Sequence, residues 1–210
     1  MSEVIKKYKL SDSRELRIIL DDCLESPRKW DNLSTMVCFH KRYKLGDAHN
    51  YKRDDFSKWN ELRKAIEKDH DIAIIKPLYL YDHSGITIST NLEYPYDDRW
   101  DSGQIGWVFV TKDDIRKDFA VKKVTEQLIQ KVEDILLSEV QIYDQFLCGE
   151  VYAYEVIQHK VCETCGHVET KYLDSCGGFY GNDIITNGML EHLSDDIVQE
   201  VKVIIVEERI

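Results

Sequence analysis

The chain has 210 residues, 43% hydrophobic and 32% charged, with a formal net charge of -11. That length and balance describe a soluble globular protein with a substantial core, and no apolar run approaches the roughly 18 residues of a membrane-spanning helix. The acidic surplus argues against a general binder of nucleic-acid backbone, which displaces counterions with cationic groups. It leaves either a solvating surface or an acidic face suited to a basic groove.

In chain order, residues 1–12 lack the apolar stretch of a signal peptide, so the expected compartment is the cytoplasm. Leu16 to Leu20 predicts an early strand. Ser26-Pro27 breaks the chain, and the turn Trp30-Asp31-Asn32-Leu33 precedes a short buried strand from Thr35 to Phe39. Asp54 or Asp55 is placed to cap a helix running to Asp69, with Phe56, Trp59, Leu62 and Ile66 as its core-facing stripe. Alternating runs from Ile72 to Tyr81 and from Ile86 to Thr90 flank Asp82-His83-Ser84-Gly85, a hairpin signature. A polar aromatic loop then leads to a third run, Ile105 to Val110. Thr111 to Asp114 resembles a capping box opening a short helix, and apolar residues every three or four positions predict a long helix from Thr125 to Leu147.

Val151 to Ile157 and Val168 to Leu173 predict two strands around Cys162-Glu163-Thr164-Cys165-Gly166-His167. Ser175 to Gly181 is too glycine-rich for a regular element. A helix is expected from Asn182 to about His192, and the last segment reads equally as a helix capped near Ser194 or as a strand from Val201 to Val206. The fold class expected is α+β: one domain over 1–210, an antiparallel sheet covered by helices, with a Cys-x-x-Cys β-hairpin inserted at 158–176.

Three places carry candidate chemistry. Cys162 and Cys165, with Gly166 following, have the spacing of a metal knuckle, and His167 and Cys176 complete a four-ligand set for a structural zinc. A metal-free hairpin of paired thiols and a redox pair are the alternatives, the latter disfavoured because redox motifs open a helix after a strand. Cys23, Cys38 and Cys148 read as buried small hydrophobes. His83, with Asp82 or Asp101 to orient it, is a candidate general base, and His40 and His49 are candidate metal ligands. Ser84 lacks the setting of a nucleophile elbow. Trp30 and Trp100 are expected to plug sheet ends, with Asp31 and Asp101 closing Asx-turns.

The stretches Trp30 to Val37, Tyr81 to Thr87, Trp100 to Gly106 and Asp174 to Gly181 together resemble a family of uncharacterised proteins from bacteriophages and bacterial mobile elements. The resemblance runs from about Leu16 to Gly181 and brings no activity with it. It implies that the Cys-x-x-Cys hairpin is an accessory, and that the protein works in a bacterial host cell, where small acidic phage proteins often block defences by binding a defence component. The resulting expectation is a non-enzymatic inhibitor of a host defence or nucleic-acid-processing protein, such as a CRISPR effector. Its contacts would come from His83, Asp97, Asp98, Arg99, Asp101 and Gln104. The alternative is a metal-dependent hydrolase or nuclease using His40, His49, His83, Asp82 and Asp101. A third reading, a zinc-hairpin module for nucleic acid, would require Lys41 to Arg53 to form a positive face.

Overall fold

The computed structural model describes residues 3–22, 25–93 and 95–208, so the reading of Cys23 lies outside the described residues. The fold is α+β, with two four-stranded antiparallel sheets where the sequence led us to expect one. The chain divides into two compact units: Ser26–Cys148, and Met1–Glu25 together with Gly149–Ile210. Neither side of the division is marked by a glycine- or proline-rich linker, which is why composition does not reveal it.

The first unit, residues 3–22 with 149–208, is a sheet backed by one helix. Strands β1 (Val4–Lys9) and β2 (Arg14–Leu20) are joined by a tight turn. Asp12 and Ser13 both sit at positive φ, 55° and 57°, and Arg14 N–H closes onto Ser11 carbonyl at 3.1 Å. That mirror-image turn follows the right-handed twist of its strands.

The other strands of this unit, β7 (Val151–Val161) and β8 (Val168–Tyr180), extend the sheet in the order β1-β2-β7-β8. Helix α4 (Asp195–Glu207) lays Ile197, Val201 and Ile205 against Leu16, Ile18, Tyr154, Val156 and Phe179. The helical alternative for the C-terminal segment is therefore the one adopted. Its apolar residues fall at helical spacing and find the sheet face, which outweighs the β-propensity of the valine–isoleucine run. Only Met189–His192 forms a short 3-10 turn where a longer helix was expected from Asn182.

The glycine-rich Ser175–Gly181 stretch continues β8 to Tyr180, contrary to expectation. Here the glycines permit a close approach. A Cβ on Gly177 would stand 2.4 Å from Asp21 Oδ2, and Gly178, at φ +83°, donates its N–H to the same oxygen at 2.9 Å.

The second unit, 26–148, is built on the sheet β3-β6-β4-β5. Its strands are β3 (Thr35–Cys38), β4 (Ile72–Asp82), β5 (Ile86–Ser89) and β6 (Ser102–Thr111). Helix α3 (Glu126–Leu147) covers one face through Val132, Leu136, Val140 and Tyr143, packed against Met36, Leu78, Leu80 and Val108. Helix α1 (Trp59–Asp69) covers the other, with Leu62 and Ile66 against Val37, Trp107 and Phe109. It starts later than expected because Arg53–Asp55 turns as a 3-10 helix, and Glu61 takes the capping role by accepting from Ser57 N–H at 2.7 Å. Helix α2 (Lys112–Asp118) opens on the expected cap: Thr111 Oγ1 accepts from Asp114 N–H at 3.1 Å.

Two-sided cover explains why Ile105 to Val110 are all buried and show no alternation. Gly106 is required there, since a Cβ would stand 1.9 Å from the Val37 carbonyl oxygen across the β3–β6 pair. Pro77 is tolerated in β4 because β5 pairing begins only at Tyr79, leaving β6 as the sole neighbour at that level.

The polar counterpart of this core was not anticipated. The Arg28 side chain, only 4% exposed, pairs with Asp47 at 2.5 Å and donates to Ser34 carbonyl at 2.7 Å. Glu139 on α3 accepts from Leu33 N–H at 2.7 Å and Ser34 N–H at 3.0 Å, and Asp47 accepts from Met36 N–H at 2.7 Å. This network accounts for the Trp30–Val37 stretch: it is the point where a loop and a strand are tied to α3. No hydrophobic pattern announces it, because its members are far apart in sequence.

Candidate functional site

The antiparallel pairing of β4 with β5 and β6 collects three connections at one end of the second unit. Tyr81 lies opposite both Thr87 and Ser102, so the 83–85 turn and the end of the 90–101 loop emerge side by side. Asp82 N–H donates to the Asp101 carbonyl at 2.8 Å and locks that adjacency. The segment after β3 joins them: Phe39, His40, Arg42, Asp82, Asp101 and Gln104 share the lining of an open groove of about 500 Å³ with Trp100.

Outside the lining itself, His83 Nδ1 lies 2.9 Å from Asp101 Oδ2, and the imidazole stacks on Tyr81 with centroids 5.9 Å apart. A carboxylate beside Nδ1 favours a proton on that nitrogen and orients the ring. The guanidinium of Arg42 pairs with Asp82. His40 Nδ1 accepts from the N–H groups of Arg42 and Tyr43, both at 3.3 Å, so this ring organises its own turn.

The 90–101 loop is braced from inside. Asp98 Oδ1 accepts from Trp100 N–H at 2.8 Å, Ser102 Oγ donates to Tyr96 carbonyl at 2.7 Å, and Tyr96 hydroxyl donates to Ile88 carbonyl at 3.2 Å. Burial pushes the Tyr96 phenol above its usual value. Asp144 on α3 holds the start of β5, accepting from Ile88 N–H at 2.7 Å. On this frame Trp100 is 93% exposed, with Leu92, Asp97 and Arg99 also exposed on the same loop.

Several expectations are corrected here. Trp100 does not plug a sheet end: it is 93% exposed, and Asp98 closes the Asx-turn beneath it, while Trp30 is 48% exposed. His49 does not join His40 and His83. Its Nε2 sits 3.2 Å from the Cys38 carbonyl, its ring meets Phe39 edge-on, and it borders a separate depression with Tyr51, Asp69 and His70. In that depression, burial and the Asp69 carboxylate push the Tyr51 phenol up to about 12. Gln104, which lines the groove, donates to the Gly106 carbonyl at 3.0 Å.

The four proposed zinc ligands are not assembled either. Cys162 and Cys165 approach to 3.4 Å. Cys176, however, pairs across from Tyr154, eight residues along β8 from Val168, which at about 3.3 Å per residue is roughly 25 Å from the turn. Among the described residues no three His, Cys, Asp or Glu side chains are grouped to hold a metal. Hydrogen bonds from the Cys165 N–H, the Cys165 side chain and the Thr164 N–H hold the Cys162 thiol below its ordinary value. Cys38 is buried as expected, and burial pushes its thiol up to about 12, whereas Cys148 is exposed at the end of α3.

No protein-family model, curated protein or solved structure matches this chain. No helix of the described residues is long and apolar enough to cross a membrane.

Proposed function

We propose that this protein acts by binding another protein through the loop face around Trp100, and that its target is a host defence or nucleic-acid-processing protein in a phage-infected bacterium. The observation that carries the reading is the 93% exposure of Trp100 on a loop held by its own hydrogen bonds. An indole is the side chain most often found as the anchor of a protein interface, and a braced loop gives up little entropy when it docks. Asp97 on the same loop and the His83–Asp101 pair beside it supply polar groups for a rim, and the net charge of -11 favours a partner with a basic surface. The resemblance to phage and mobile-element proteins supports the host setting.

The test is a phage challenge in cells carrying an active CRISPR or restriction system. Wild-type protein is expected to restore phage plating. Trp100→Ala is expected to abolish that effect while staying folded, with stability changed by less than about 0.5 kcal/mol. A folded Trp100→Ala variant with full protection of the phage, or no protection by the wild type, removes the reading.

A second reading rests on the His83–Asp101 contact at 2.9 Å, which orients an imidazole as a general base would be oriented. An enzyme of this kind turns over at substoichiometric amounts and is silenced by His83→Ala. A binder titrates one to one with its target and tolerates that change to within a few-fold.

A further inference from the structure

The β7–β8 pair ends in a turn whose geometry the loop face does not use. Val161 lies opposite Val168, and Cys162 N–H donates to the His167 carbonyl at 2.8 Å. Gly166 N–H donates to the Cys162 carbonyl at 2.8 Å, with Gly166 at φ +70°. Both thiols are exposed and lie within reach of one ion, since two sulfurs at about 2.3 Å from a tetrahedral zinc stand about 3.8 Å apart.

Two cysteines are half of the four-ligand set that a closed structural zinc site takes. Cys176 is too far along β8, and no third ligand is grouped with the pair among the described residues. The strands beside the turn also display apolar side chains to solvent: Val161, Val168, Tyr172 and Leu173 are all exposed. An identical surface approaching the tip would cover them and bring the missing ligands.

We propose that two copies of this chain meet at their β7–β8 tips and share one zinc ion, each giving Cys162 and Cys165 as thiolates. Four S–H bonds are given up, four protons pass to solvent and four Zn–S bonds form, with no change of oxidation state. The arrangement is independent of the loop face, so the proposed function can fail while this site stands, and the reverse.

The experiment uses the full chain, reduced, loaded with Zn²⁺ and freed of excess metal. Metal per chain is read by elemental analysis and mass by light scattering. The expected result is one zinc per two chains in a dimer that a chelator returns to monomers. Cys162→Ser with Cys165→Ser should bind no zinc and stay monomeric with an unchanged far-ultraviolet spectrum. Cys176→Ser should keep both zinc and dimer, and this variant protects the test if the double variant misfolds. One zinc per chain in a monomer, no zinc at all, a dimer indifferent to chelator, or loss of zinc on changing Cys176 would each overturn the assignment.

Discussion

The two sheets treat water differently. In the second unit β6 is buried on both faces by α1 and α3, and every residue from Ile105 to Val110 is out of solvent. In the first unit β8 is exposed from Val168 through Ser175, with valine, tyrosine and leucine among the side chains on display. A strand clamped on both faces makes a rigid support, and its functional groups belong to the loops at its end. A strand left open along most of its length is itself a surface, and its chemistry sits at its tip. The molecule thus carries two candidate sites of different kinds, a braced loop and a bare hairpin.

The sharpest way to break that contrast is to attack the support. Arg28→Ala leaves Asp47 and Glu139 without their cation, and removal of one partner from such a buried network costs about 3–5 kcal/mol. Urea unfolding of the variant is expected to show a midpoint far below wild type. An unchanged midpoint would mean that the network contributes nothing to holding the loop and strand on α3.

The opposite result is expected on the open strand. Tyr172→Ser changes a side chain that faces solvent, so metal-free protein should keep its stability within about 0.5 kcal/mol. A larger loss by the same urea titration would mean that the strand is not the free surface described above.

The smallest effect concerns the β1–β2 turn, which is tied to α4 by Arg14 with Asp196 and Glu200. Hydrogen bonding from Ser194, then from Arg14, lowers the Asp196 carboxyl to about 2. A carboxyl whose folded value is lowered stabilises the fold above its ordinary value and loses that contribution as pH falls through the folded one. The difference between wild type and Asp196→Asn should therefore be full above pH 3.8 and close as pH approaches about 2. Thermal melts across that window check the sign; a gap that widens in acid refutes it. At high salt the gap should shrink, because the Asp196 carboxylate is exposed.

Much of the loop face was legible before the structure. The Asp82–Gly85 connection between two alternating runs already implied that His83 and Asp101 sit near strand ends, and pairing of β4 with β6 brings them to 2.9 Å. The exposure of Trp100 was not legible, because a large apolar ring is ordinarily read as core, and here the hydrogen bonds of Asp98 and Ser102 brace the loop that carries it. His49 was read with His40 on proximity in the chain alone, yet its ring packs on Phe39. At the hairpin, the expected ligand set drew His167 and Cys176 from the same hairpin as Cys162 and Cys165. Strand register is what separates Cys176 from that pair.

What the sequence by itself determined is local: which segments alternate, which repeat at helical spacing, where Thr111 caps a helix and where Gly106 sits in a run of buried residues. Those features depend on neighbours within a few positions, so they survive without knowledge of the fold. The division into two sheets, the Arg28–Asp47–Glu139 network and the choice of helix over strand for α4 belong to the tertiary structure alone. Each depends on which surfaces, distant in the chain, are offered to one another, and burial against those partners outweighs the local preferences that a sequence displays.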